Sequence, residues 1–400
     1  MSWKDWLKSK AVDNLNLRVM ARIFWGWTPP DGTDFWLGVS PWSEMPLPPR
    51  CDFDYQSVNL DYFKKLDEIL YYTLKKGYTV ELTLMGNGYG YLSSCGGEMW
   101  KVGDIRNEYI LKYTINRIKA FPHVIVEPAN EYRQQLAEFI PDEEVGYWRT
   151  LDWIWNLCQI IKDIDPKRLI AVDAGWVHDP DWVGQDDNYH PEWKYYPDGP
   201  SHRKIWESDL CDIVNIHSDR GSQWWWLGPR QCEILSEIIG KPVFNDETNR
   251  KGYQYGHPPT DEEIIRSAWL TVFVGAYWRY HGCDESLVQR ASVTDNDIPG
   301  IKQFAQFWKD CGKYNFSIAN HLIEGNAEIK RAMVAGDTYT YLMIGAEGVM
   351  KLNTALGNYD HKVMDIQTGQ YIFEKKNITM NVLDVPLPYK GDFAVWIKKV

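Results

Sequence analysis

The chain has 400 residues, 44% of them apolar, and a formal charge of -12, which suits one large domain followed by a small one. An acidic balance of this size excludes a phosphate-backbone partner, since that contact needs a basic footprint, so no nucleic acid is expected. No window approaches the roughly 18 uninterrupted apolar residues of a membrane span. The opening MSWKDWLKSK lacks the apolar core of a secretion signal, which gives a cytoplasmic expectation, or a secreted one should the true start lie upstream. Cysteines 51, 95, 158, 211, 232, 283 and 311 show no CxxC spacing, so they read as mostly free thiols, with no metal site and no cofactor expected.

Ser2 and Asp5 suggest a capping box for a short opening helix. Residues 16–24 (NLRVMARIF) then alternate as a strand, and a loop rich in Pro, Gly and Trp extends to about Asp54. Further on, helices are expected over 61–76, 107–120, 142–164, 231–239, from Thr260 with its Glu263 box, and over 299–309. Strands are expected over 78–85, up to Glu131, over 168–173, 212–217 and 242–247, and over 271–278 (TVFVGAYW). Strands alternating with helices of this length give a parallel sheet covered by helices, and repetition on this scale favours a closed (β/α)8 barrel. Seven strands are visible where eight are needed. Either the barrel closes irregularly or its first strand lies upstream of the given start.

Beyond residue 316 the pattern changes to short alternating segments separated by Gly, Asp and Asn: EIKRAMVAG, TYTYLMIG, GVMKLNT, HKVMDIQTG and DFAVWIKKV. These predict an antiparallel β-sandwich, giving a barrel domain over 1–318 and a β-domain over 319–400.

Chemistry in such a barrel gathers at the carboxyl ends of its strands. Two strands end in glutamate, FPHVIVEPANE at Glu131 and KPVFNDE at Glu247. A carboxylate where a buried strand emerges is costly unless it is used. Two facing carboxylates can cleave a glycosidic bond, one as acid/base and the other as nucleophile, at roughly 5 Å separation for retention. Glu127, on the face of Glu131 by the period of two, reads as a buried ion-pair partner. Asp246 alternates away from Glu247. Asp173 and Glu81 either line the site or solvate its rim. The 21 tryptophans matter for where they fall. Trp25, Trp27, Trp36, Trp42, Trp176, Trp182, Trp193 and Trp224 to Trp226 follow strands on the catalytic side, where they either stack on sugars or pack the loops.

The Asn130–Glu131 strand end, KPVFNDE and Trp278 together resemble the clan A retaining glycoside hydrolases. VIVEPANEY, KPVFNDE, IIRSAWLTVFVGAYWRYHG, MDIQTGQY and GDFAVWIKK are more narrowly similar to the apiosidase-like, cellulase-related family, whose members carry a C-terminal β-domain of the collagen-binding type. The resemblance implies Glu131 as acid/base and Glu247 as nucleophile. It implies Asn130 as a hydrogen-bond donor to the sugar 2-hydroxyl, Trp278 as the platform beneath that sugar, and His217 beside the nucleophile. Arg18 or Arg22, on one face of their strand, would hold the Glu247 carboxyl low. The implied partner is an oligo- or polysaccharide. The rivals are a transglycosidase with the same chemistry and a non-catalytic carbohydrate-binding protein on an inherited barrel.

Overall fold

A computed structural model describes residues 42–43, 54–58, 60–77, 79–85, 105–129, 143–176, 202–218, 224–248, 259–278, 300–312 and 315–400. The expected opening helix and the strand over 16–24 lie outside them. In chain order the elements are β1 (Trp42–Ser43), β2 (Asp54–Val58), α1 (Leu60–Lys75), β3 (Val80–Met85), α2 (Ile105–Ile118), β4 (Val124–Ala129), α3 (Glu143–Ile164), β5 (Ala171–Trp176) and α4 (His202–Glu207). They continue with β6 (Ile213–Ser218), α5 (Trp224–Ile239), β7 (Val243–Thr248), α6 (Asp261–Phe273), β8 (Tyr277–Trp278) and α7 (Ile301–Cys311). The C-terminal strands are β9 (Ser317–Ile318), β10 (Ile323–Asn326), β11 (Ile329–Ala335), β12 (Thr338–Asp365), β13 (Gln370–Pro386) and β14 (Gly391–Lys399).

Two compact units emerge. Among the described residues the first takes everything up to His217 together with 238–244, and the second takes the rest. In the first, β3 pairs with β4 in parallel, with Thr83 beside Glu127, and β5 pairs with β6 in parallel, with Asp173 beside Asn215. A parallel bridge between Val126 and Ile170 joins the two pairs. Val80, Leu82, Val126, Ile170, Val172, Val214 and Ile216 share one parity along these strands and are all buried. Such β-branched, near-continuous apolar strands are what a sheet covered on both faces requires. Helix α3 touches β4 and α4 touches β5, and the Trp206 indole N–H donates to the Val172 carbonyl at 3.2 Å. The described hydrogen bonding gives β3-β4 and β5-β6-β7-β8 as the strand orders; barrel closure is not among the described pairings.

Several elements differ from the sequence expectation for physical reasons. TVFVGAYW is not a strand throughout: α6 runs on to Phe273 because Ile264, Ala268 and Thr271, with Ile265, Trp269 and Phe273, continue one buried helical face. That packing outweighs the β-branched propensity of 271–274. The helix ends when Gly275 takes φ 82°, and only Tyr277–Trp278 is extended. Helix α5 begins at Trp224, seven residues before the expected start at 231 and with Pro229 inside it, so Trp224 to Trp226 are helical rather than loop residues. Trp224 is fully buried in the core of the second unit, where it serves packing.

The C-terminal strands form one six-stranded antiparallel sheet, not visibly two. Three of the short segments expected from sequence merge into the 28-residue β12. Gly345 (φ 61°) and Gly348 (φ 78°) accommodate irregular pairing there instead of ending strands. The start and the end of β12 both pair with β14, so Ile397 lies between Tyr339 and His361. Alternation then builds two cores. Leu342, Ile344, Met364, Ala394 and Trp396 pack with Trp269, Phe304 and Trp308 of α6 and α7. Tyr341, Met343, Val363, Phe393 and Val395 pack with Met350, Leu352, Met380 and Val385. Arg266 ties α6 to β14 through both Asp392 oxygens at 2.7 and 3.1 Å.

Candidate functional site

The site is best built from the strand residues that face away from the apolar parity just described. Along β4 these are Ile125, Glu127 and Ala129; along β5, Ala171 and Asp173; along β6, Ile213, Asn215 and His217. At the amino ends of the strands the layer is apolar: Ile125, Ala171, Ile213 and Phe244 form one buried cluster. One step further along β4, β5 and β6 the face turns polar at Glu127, Asp173 and Asn215, with His217 beyond; on β3 Thr83 is in register with Glu127 and Glu81 with Ile125, and all six polar residues are 0% exposed.

Three side-chain pairs organise this layer. The Thr83 hydroxyl donates to Glu127 Oε2 in a very short hydrogen bond. The Asn215 amide donates to Glu81 Oε1 at 2.8 Å. His217 Nε2 stands 3.0 Å from Asp173 Oδ2, an ion-pair approach whose N–H meets the carboxylate off axis. The Glu81–Asn215 bond links β3 to β6 across two intervening strands. On a flat sheet those strands would lie about 14 Å apart at ~4.8 Å per spacing, so this face of the first unit is concave.

Burying three carboxylates costs several kcal/mol each unless they are hydrogen-bonded or paired, and this concave face supplies partners to each. Glu81 and Asp173 are therefore not on a solvated rim. Glu127 is buried as expected, and its visible contact is the Thr83 hydrogen bond. Thr83 and Asn215 were not singled out by sequence reasoning. The signal was available in the alternation of polar residues inside β3 (VELTLM) and β6 (IVNIHS).

His217 lies within β6, on the concave face. Trp278 closes β8, half-buried at the margin of the second unit's core, with its ring centroid 6.3 Å from that of Phe304 in an edge-on arrangement. Part of its ring is thus engaged in packing. Trp176 is the last residue of β5, in register with His217, and not a loop residue. Glu247 is the penultimate residue of β7 by its backbone. Asn130, Glu131, Arg18 and Arg22 lie outside the described residues; Ala129, the last residue of β4, stands two positions before Glu131.

Among the described residues no group of three or more His, Cys, Asp or Glu is placed to hold a metal, and no helix is long and apolar enough to cross a membrane. Cys158, Cys211, Cys232 and Cys311 are buried thiols outside any disulfide. Burial pushes the Cys211 thiol up to about 12, which keeps it protonated and unreactive.

No protein-family model matches the chain, and no curated protein matches it by sequence. Solved structures do. A protein described as a glycoside hydrolase aligns with TM-score 0.57 at 14% identity, over 84% of this chain and 77% of its own. A glycoside hydrolase family 5 protein from Bacteroides vulgatus aligns with TM-score 0.57 at 12% identity, over 84% and 74%. A candidate glycoside hydrolase from the same organism aligns with TM-score 0.65 at 16% identity, over 100% and 76%. At such identities the likeness is one of fold.

Proposed function

We propose that the chain is a retaining hydrolase of O-glycosidic bonds, of the apiosidase-like, cellulase-related kind within clan A. It would be built as a (β/α)8 barrel over 1–318 with a β-sandwich over 319–400, and would act on an oligo- or polysaccharide. The observation that carries this reading is the concave face of β3 to β6, which is apolar at the amino ends of the strands and carboxylate-rich further along. Parallel α/β folds place their chemistry toward the carboxyl ends of the strands, and the neighbours that share this fold are described as glycoside hydrolases.

Glu131, two residues past β4, would donate its proton to the leaving oxygen while the Glu247 carboxylate attacks the anomeric carbon. The glycosidic C–O bond breaks and a covalent glycosyl-enzyme forms. Water then loses a proton to Glu131 and adds to the anomeric carbon, which releases Glu247 and retains configuration. Asn130 would hold the 2-hydroxyl, where hydrogen bonding strengthens as charge develops. Trp278 would be the platform beneath that sugar, Trp176 would contribute to substrate binding, and Arg18 or Arg22 would keep the nucleophile ionised.

The test is a panel of aryl glycosides and plant or microbial polysaccharides, with product anomers read by NMR before mutarotation. Glu131→Gln is expected to lose about 10²–10⁴-fold in kcat/KM, and Glu247→Gln at least as much, with retained configuration. Inverted product, or activity that survives Glu247→Gln and dies in Asp246→Asn, sinks the assignment.

A further inference from the structure

We propose that Asp173 is a positioning residue that fixes the tautomer and charge of His217; the catalytic half of this proposal rests on the glycosidase reading above. The two side chains lie on adjacent parallel strands. Asp173 is in register with Asn215, one side-chain step before His217, and the His217 ring leans back so that Nε2 comes 3.0 Å from Oδ2. Both are 0% exposed.

A buried carboxylate beside one ring nitrogen decides where that ring keeps its proton. Nε2 is protonated whether the imidazole is neutral or cationic, so Nδ1 is the nitrogen left to gain or lose a proton. The carboxylate also favours the imidazolium, and against that stands burial, which disfavours any charge. On the same face Glu81 of β3 and Glu127 of β4 are acids, while Asn215 of β6 and Thr83 of β3 carry no charge. Under the glycosidase reading the imidazolium is the form that serves beside the catalytic carboxylate pair. Asp173 touches no reacting atom in this scheme and acts only through His217.

The spectroscopic arm uses the full chain labelled with 15N-histidine, His217 being assigned from the signal lost in His217→Gln. In the wild type, long-range 1H–15N correlations are expected to show the Nε2–H tautomer for neutral His217. In Asp173→Asn, which keeps the shape and removes the charge, the His217 titration midpoint is expected to fall by about one pH unit or more. A neutral Nδ1–H tautomer in the wild type, or a midpoint unmoved in Asp173→Asn, overturns the pairing.

The kinetic arm uses any substrate the wild type hydrolyses. The expected result is a roughly tenfold lower kcat/KM, with the alkaline limb of the pH profile displaced to lower pH in step with His217. A superposed profile and a kcat/KM within about twofold of wild type would confine the pair to a structural role. A wild type inactive on the whole panel sinks the glycosidase reading and with it the catalytic half of this proposal, while the imidazole spectra still decide the pairing.

Discussion

Replacing Arg168 by Met should destabilise the first unit far more than the loss of one surface charge would. The guanidinium is buried at the junction of α2, β4 and β5. It donates to the carbonyls of Ile118 (3.1 Å), Phe121 (2.9 Å) and Val124 (2.6 Å) and, through Nε, to Asp165 at 3.0 Å. Met fills the aliphatic volume but removes the guanidinium from three carbonyls, of which those of Ile118 and Phe121 keep a backbone donor (the N–H groups of Phe121 at 2.8 Å and Val124 at 3.3 Å), and it leaves a nearly buried carboxylate without its cation. Each orphaned buried group costs about 1–3 kcal/mol, and removing one partner of a buried ion pair costs about 3–5 kcal/mol. Since these terms describe the same event and water relieves part of it, the loss should be about 3–5 kcal/mol rather than their sum. At 1.4 kcal/mol per factor of ten, amide exchange across β4 should accelerate by more than about a hundredfold, read by hydrogen–deuterium exchange mass spectrometry of the 121–129 segment. Asp165→Asn, which keeps the three carbonyl bonds, should cost only about 1 kcal/mol. Adding Asp165→Leu to Arg168→Met should recover the ion-pair part alone. Protection of β4 within about fivefold of wild type in Arg168→Met would refute the reasoning.

Two further outcomes follow from the same kind of accounting. The Lys241 ammonium spends its three donors on the carbonyls of Trp206 (2.5 Å), Ser208 (2.7 Å) and Cys211 (2.8 Å), so Lys241→Met should cost about 2–4 kcal/mol; Lys241→Arg should not rescue it, because three carbonyls that converge on a single nitrogen suit an ammonium and not the spread N–H groups of a guanidinium. The check is the urea midpoint followed by far-UV circular dichroism. In the C-terminal sheet, burial and then the Lys375 charge hold His361 below the ordinary imidazole range, with Asp360 opposing. The unfolded chain therefore takes up a proton near pH 6.5 that the folded chain refuses. Stability should be constant above that pH and fall below it, by at most about 1.4 kcal/mol per pH unit from this group, and His361→Phe should flatten that part of the thermal-midpoint profile between pH 7.5 and 5. An equal slope in the variant would remove His361 as the cause.

Most of the parallel-strand frame is legible in the sequence because its signals are local and repeated. Helix α1 stops where Gly77 can take φ 75°, α6 starts at a capping box in which Thr260 and Glu263 satisfy each other's backbone N–H, and VELTLM and VIVEPA are extended as their patterns suggest. Misreadings arise where burial overrules a local preference. The β-prone residues Thr271, Val272 and Phe273 continue a helix because its buried face is already committed to the core, and Pro229 is tolerated within α5 while Trp224 anchors the helix start. The 17-residue β13 escaped notice since residues 370–379 are exposed or half-exposed and show little apolar alternation, and only Met380, Leu383 and Val385 are buried. In the candidate site, Glu127 is legible from the period of two, and His217 through the resemblance to the clan A glycoside hydrolases. The Asp173–His217 and Glu81–Asn215 pairs were not, because neither adjacency across a parallel ladder nor the curling of the sheet is written in any one segment.

The first unit separates its stabilising polar contacts from its concave-face polar layer along the strand direction. Arg168 precedes β5. Asp212 precedes β6, where it accepts from Lys162 at 2.7 Å and from the Ile170 amide at 2.8 Å. Lys241 precedes β7. All three stitch backbone at the amino ends of strands, and each of those charges is spent on carbonyls, amides or an opposite charge fixed in place. Within the strands β3, β4 and β5, the concave-face carboxylates Glu81, Glu127 and Asp173 are approached by the Asn215 amide, the Thr83 hydroxyl and the His217 imidazole. If the second layer existed for stability, well-packed apolar residues of similar volume would serve it better, since replacing buried ionic groups in that way is often neutral or stabilising by about 1–4 kcal/mol. The consequence can be separated experimentally. Apolar substitution in the amino-end set should lower stability. Thr83→Val with Glu127→Leu, which removes both halves of one concave-face pair, should leave the urea midpoint near or above wild type and lower turnover. A large loss of stability in that double variant would show that the carboxylate layer is structural and would remove the principal observation behind the glycosidase proposal.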